Sequence, residues 1–131
     1  MDEVPIRSGD DVVRVRQQVR SVAAASGLSL VDQTKLVTAA SELARNTLVH
    51  GGGGVARIEK VSAANGRAGV RLHFSDEGPG IPDIDLALTD GWTTGSGLGL
   101  GLSGARRLVD EFELDSKPGA GTRVVVVKWS R

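Results

Sequence analysis

A chain of 131 residues with 16 Lys and Arg against 16 Asp and Glu, 40% apolar residues, 18 glycines and no cysteine has the size of one domain around one core. Its zero formal net charge argues against a general binder of phosphate backbones, so no nucleic-acid partner is expected, and without cysteine there is no disulfide, thiolate nucleophile or Cys-ligated zinc. The acidic start lacks an apolar leader core and no stretch approaches the ~18 apolar residues of a membrane span, so a soluble chain in the cytoplasm with no membrane partner is expected.

In chain order, a short strand is expected over residues 4–7. Residues 10–26 carry Val12, Val15, Val19, Val22 and Ala23 at helical spacing, with Gly27 as a stop. Ser29 followed by Asp32 resembles a capping box that opens a second helix, along which Leu36, Ala40, Leu43 and Thr47 repeat until Gly51. Strands are expected over 55–62 and 70–76, joined by the hairpin signal Asn65-Gly66. Residues 77–96 show no sustained periodicity and read as a long loop. A third helix over 99–111 turns Leu102, Ala105, Leu108, Val109 and Phe112 inward, and strands over 112–116 and 122–129 form a closing hairpin. The order β-α-α-β-β-α-β-β suggests an α+β protein, a two-layer α/β sandwich with helices on one face of a mixed, mostly antiparallel sheet.

Three constellations carry chemistry. On the second helix Glu42 and Asn46 share a face, one turn apart: a carboxylate able to orient or deprotonate a nucleophile beside an amide oxygen able to ligate Mg²⁺, or simply a solvated helix face. Asp76 ends the row Val70, Leu72, Phe74, and a carboxylate there requires hydrogen-bond donors. The exocyclic amine of adenine would serve, and so would a turn that the Asp caps. Gly78 and Gly80 follow it, allowing a ligand to approach the backbone. Third, Gly95-Ser96-Gly97-Leu98-Gly99-Leu100-Gly101 opens a helix, where backbone N–H groups can cradle phosphates. Residues 99–104 also satisfy a G-x-G-x-x-G dinucleotide pattern, but no hydrophobic strand precedes them in the sequence and the chain is short for a doubly wound fold.

Glu42-x-x-x-Asn46, Asp76-x-Gly78-x-Gly80, the Gly95 to Gly101 loop and Gly121-Thr122 together resemble the nucleotide-binding boxes of the gyrase, histidine-kinase and mismatch-repair ATPase superfamily, over nearly the whole chain. Val31-Asp32-Gln33, the stretch from Ser41 to Asn46, Asp76 to Ile84, Arg107 to Phe112 and Lys128-Trp129-Ser130-Arg131 resemble in particular the RsbT-type serine/threonine switch kinases of bacterial stress-response partner switching. The resemblance implies a Bergerat-type ATP-binding fold and a single ATP-binding kinase domain over 1–131. It implies ATP and Mg²⁺ as cofactors: Asn46 would hold the metal, Glu42 would act as base or orienting carboxylate, and Asp76 would bind the adenine amine. The glycines of the second loop would wrap the phosphates, and Thr122 would support Asp76 and adenine. The implied partners are STAS-domain antagonist and scaffold proteins of a stressosome, which it would phosphorylate, and a PP2C-type phosphatase, which it would activate on release. The alternatives are an anti-sigma factor kinase that binds a sigma factor, and a nucleotide-dependent interaction module without significant catalysis.

In the final strand Arg123, Val125, Val127 and Trp129 alternate away from Thr122, Val124 and Val126. With helices on one side of the sheet only, this row is either a contact surface for self-association or partner capture, or a row covered by sheet curvature or the N-terminal segment. His50 and His73 read as ordinary helix-end and surface histidines.

Overall fold

The computed structural model describes residues 2–80 and 99–131. β1 (Asp2–Ile6) is followed by α1 (Gly9–Ala25) and α2 (Leu30–Val49), then by the hairpin β2 (Gly54–Ser62) and β3 (Ala68–Asp76), and then by α3 (Gly99–Leu108), β4 (Glu111–Ser116) and β5 (Thr122–Trp129). α1 ends because Gly27 takes a positive φ of 83°, which lets Gly27 N–H donate to Ala24 O and Leu28 N–H to Ala23 O, both at 3.1 Å. This pair of reversed bonds satisfies the last carbonyls of the helix and turns the chain straight into α2. Ser29 caps α2 as the spacing predicts, its hydroxyl accepting from Asp32 N–H at 3.1 Å.

The sheet order is β1-β2-β3-β5-β4, and every pairing is antiparallel. The expected α+β class stands; where a mixed, mostly antiparallel sheet is expected, the sheet is wholly antiparallel among the described residues, which is incompatible with the parallel dinucleotide-binding fold. One face is covered by the helices. Ile6, Ala56, Ile58, Val70, Leu72, Phe74, Val124 and Val126 meet Val15 and Val19 of α1, Leu36 and Leu43 of α2 and Ala105 of α3 in one core.

One further expectation needs correction, and one open reading is decided. The third helix stops at Leu108, not at residue 111, because Asp110 N–H donates to Val127 O at 2.9 Å and draws the chain into the sheet. The row opposite Thr122 is not an exposed apolar stripe. Val127 is only 3% exposed, set in register between Arg71 and Glu111, whose long side chains flank it. Val125 and Trp129 are half-buried, and the Trp129 indole donates to Glu111 Oε2 at 2.7 Å.

The far end of the sheet is fastened by an ion network. Asp32 does not complete a reciprocal capping box. Its carboxylate instead stands 3.6 Å from Lys128 Nζ and 3.6 Å from Arg131 Nε, while Asp110 lies 3.6 Å from the same Lys128 and 3.0 Å from Arg131. The start of α2, the corner after α3 and the end of β5 are thereby tied together. No helix among the described residues is long and apolar enough to cross a membrane.

Candidate functional site

At the other end of the sheet, cross-strand register places Gly54, Asp76, Thr122 and Ser116 in one row over β2, β3, β5 and β4. Their parity is that of Ala56, Phe74 and Val124, so the row lies at the edge of the helix-covered core. Asp76 and Thr122 are half-buried, and both line a cavity of about 180 Å³ together with Ser116, Lys117 and Gly121.

Asp76 does cap the turn that follows it: Oδ1 accepts from Gly78 N–H at 2.9 Å. Among the described residues no hydrogen bond engages Oδ2. The turn reading and the ligand reading are therefore compatible, since one oxygen fixes the side chain and the other stays available.

The carboxylate is set in place by glycines. The carbonyl of Asn46 accepts from Gly51 N–H at 3.2 Å, so the end of α2 delivers Gly51 against β3. A Cβ on Gly51 would come within 2.4 Å of Asp76 Cγ, one on Gly78 within 2.7 Å of Gly51 Cα, and one on Gly121 within 2.2 Å of Asp76 O. Only hydrogen side chains permit this packing. Gly121, with φ of 81°, then leads into β5 and Thr122, whose Oγ1 lies 2.9 Å from Ser116 Oγ.

Asn46 itself is the least satisfied polar group of the region. Both Oδ1 and Nδ2 of its carboxamide are buried, and among the described residues neither has a hydrogen-bond partner. A buried amide left in this state costs free energy, and a water, an ion or a ligand can supply the missing partners. Glu42, one turn earlier, is partly exposed and pairs with Arg45 Nη1 at 2.9 Å. That salt bridge keeps the carboxylate on the helix surface. His50 follows α2 at its C-cap and His73 pairs with Glu59 on the open face of the sheet, so neither joins the site.

Gly80 follows the Asp76 turn, where a Cβ would meet Lys117 O at 2.1 Å. Gly99, Leu100 and Gly101 form the start of α3, where the expected helix also begins. Gly95, Gly97 and Leu98 lie outside the described residues. Sequence reasoning assigned no function to Gly51, which it read as a helix stop, or to Ser116; a run of four glycines where one would end the helix was the available signal for the first.

The residues present fit a nucleotide with a divalent cation: among the described residues there are an acceptor carboxylate with one oxygen free, a backbone cradle that any Cβ would fill, and an orphaned amide on the helix that leads to it. Comparison with known proteins supports the nucleotide. Residues 31–130 match the family described as histidine kinase-, DNA gyrase B- and HSP90-like ATPases, and the chain belongs to that family. It is 47% identical to the serine/threonine-protein kinase RsbT of Bacillus subtilis, over 92% of this chain and 90% of that protein. It is 30% identical to an anti-sigma F factor of Thermoanaerobacter sp., over 87% of this chain and 82% of that protein. Among solved structures, the RsbU and RsbW domains from Mycobacterium tuberculosis share the fold at a TM-score of 0.64 and 24% identity, over all of this chain and 33% of that longer one.

Proposed function

We propose that this chain is a serine/threonine protein kinase of a bacterial partner-switching module, a single ATP-binding domain over 1–131 that uses ATP with Mg²⁺ to phosphorylate STAS-domain antagonist and scaffold proteins of a stressosome. Released kinase then binds and activates a PP2C-type phosphatase. The observation that carries the reading is the buried carboxamide of Asn46, partnerless among the described residues, on the helix whose end delivers Gly51 to Asp76. The 47% identity to RsbT supports the choice of a kinase that acts on proteins.

On this reading Asp76 Oδ2 accepts from the adenine amine, Gly78 and Gly80 keep the backbone open to the base, and Thr122 supports that contact. Gly95, Gly97, Leu98, Gly99, Leu100 and Gly101 would supply the backbone N–H groups that hold the phosphates. Asn46 Oδ1 holds the metal, which supplies charge neutralisation on the phosphates. Glu42 orients the substrate hydroxyl and takes its proton, and Arg45 holds that carboxylate in place through their ion pair.

Incubation with γ-labelled ATP and candidate STAS proteins, followed by phosphosite mapping, tests the reading. Wild-type protein should label one serine or threonine. Glu42→Ala should bind ATP and fail to transfer, and wild-type rates from Glu42→Ala would remove its assigned role. The anti-sigma F relatives, at 30% identity, favour one second reading: a binding protein whose target is a sigma factor. A pull-down that recovers a sigma factor and no STAS protein or phosphatase would decide for it.

A further inference from the structure

The hydroxyl of Ser116 has one proton, and the carbonyl of Gly121, 3.1 Å away, can only accept it. The same Ser116 oxygen lies 2.9 Å from Thr122 Oγ1. With the Ser116 proton committed to Gly121, the bond between the two hydroxyls must run from Thr122 to Ser116. The single proton of Thr122 is thereby turned toward β4, and its lone pairs are left for whatever occupies the cavity. Ser116 is only 9% exposed, so bulk water does not compete freely for this arrangement.

Asp76 stands beside Thr122 in register on the neighbouring strand, and an ionised carboxylate also only accepts. Two adjacent acceptors select a ligand edge that donates. An exocyclic amine, with two N–H groups, can satisfy both, directly or through one water, whereas a carbonyl in its place faces acceptors twice. We infer that Ser116 is a positioning residue for base selectivity: by fixing the direction of the Thr122 hydroxyl bond it makes the cavity favour a 6-amino purine over a 6-oxo purine. The inference rests on the reading of this cavity as the adenine site.

Paired binding titrations of the full chain with ATP and inosine triphosphate, which carries a carbonyl where ATP carries the amine, test it with Mg²⁺ present. Wild-type protein should prefer ATP. Ser116→Ala frees Thr122 to donate, and the ATP to inosine triphosphate affinity ratio should shrink roughly twofold to tenfold, the span of one net hydrogen bond. Ser116→Thr should restore the ratio. Thr122→Val should shrink it without any change at Ser116, and adding Ser116→Ala to Thr122→Val should change it no further. Far-UV circular dichroism establishes folding of each variant. A wild-type ratio in Ser116→Ala or in Thr122→Val, or an equal effect of Ser116→Ala with and without the Thr122 hydroxyl, overturns the inference and leaves ATP binding at Asp76 standing. Equal affinity of the wild-type protein for both nucleotides overturns the inference and the adenine assignment together.

Discussion

Gly51 rests against the carboxylate of Asp76 so closely that a β-carbon at position 51 would stand 2.4 Å from Cγ and 2.6 Å from Oδ2. The contact joins the end of α2 to the end of β3, and with them the Asn46 and Asp76 motifs. A single methyl group at position 51 must therefore displace one of the two.

Gly51→Ala should lower ATP affinity roughly tenfold or more, since a charge-assisted hydrogen bond of about 1.5–3 kcal/mol depends on where Asp76 stands. Gly104→Ala is the control. It lies inside α3 and its added carbon meets nothing within 4 Å, so affinity should hold while stability rises by up to about 1 kcal/mol. Calorimetric titration of both variants checks this; equal affinities would mean that Asp76 tolerates the shift.

Asn46→Ala should separate stability from function. It removes a buried amide with no partner and places a better helix former in α2, so the nucleotide-free protein should be as stable as wild type or more stable by about 1 kcal/mol. The additional rise in melting temperature that Mg²⁺ gives over ATP alone should disappear. A nucleotide-free variant clearly less stable than wild type would show that Asn46 serves packing instead.

Lys128→Met should cost about 3–5 kcal/mol, because it leaves two carboxylates without their shared, buried ammonium. The Lys128 side chain is 4% exposed and that of Asp32 8%, so at Asp32 water replaces the ammonium poorly and, among the described residues, only the exposed Arg131 remains as a partner. The triple variant with Asp32→Leu and Asp110→Asn should recover much of the loss. Urea denaturation midpoints measure both, and a Lys128→Met midpoint near wild type would make the network dispensable.

Glu59 carries a pH signature. Hydrogen bonds from His73 Nε2 and Arg71 Nη1, each at 3.1 Å, hold its carboxyl below the ordinary value of 4.5, with His73 the larger cause. A carboxylate depressed in the folded state stabilises it above the unfolded pKa, and that contribution is lost as pH falls through the folded value. Glu59→Gln should therefore reduce stability at neutral pH and flatten its decline below about pH 4.5. Denaturant unfolding from about pH 6 to about pH 3 reads the slope; parallel curves for both proteins would remove Glu59 from the acid limb.

The elements were legible where one periodic face packs on one surface. Val12, Val15, Val19 and Ala23 announce α1 because a single stripe meets a single sheet, and the period of two from Val70 to Asp76 places Asp76 on the helix side in advance. Interactions decided by cross-strand register were not legible. Ser116 matters through Thr122 and Gly121, which a hairpin folds back upon it, and nothing in a lone serine announces that. Asp32 sits at a cap by local spacing, yet its partners Lys128 and Arg131 come from the far end of the chain. The exposure of Val127 stayed open because alternation shows which way a side chain leaves the sheet and not whether Arg71 and Glu111 will flank it.

The pairing of β3 with β5, separated by the whole of α3 and β4, has a consequence for biosynthesis. A ribosome releases Asp76 well before Thr122, and until β5 inserts between β3 and β4 the middle of the sheet has an open edge and the cavity has one wall. Closing so long a loop is slow compared with forming the β2–β3 hairpin. Nascent chains that stop short of β5 should bind no nucleotide, so ATP can stabilise only molecules whose last strand is already in place.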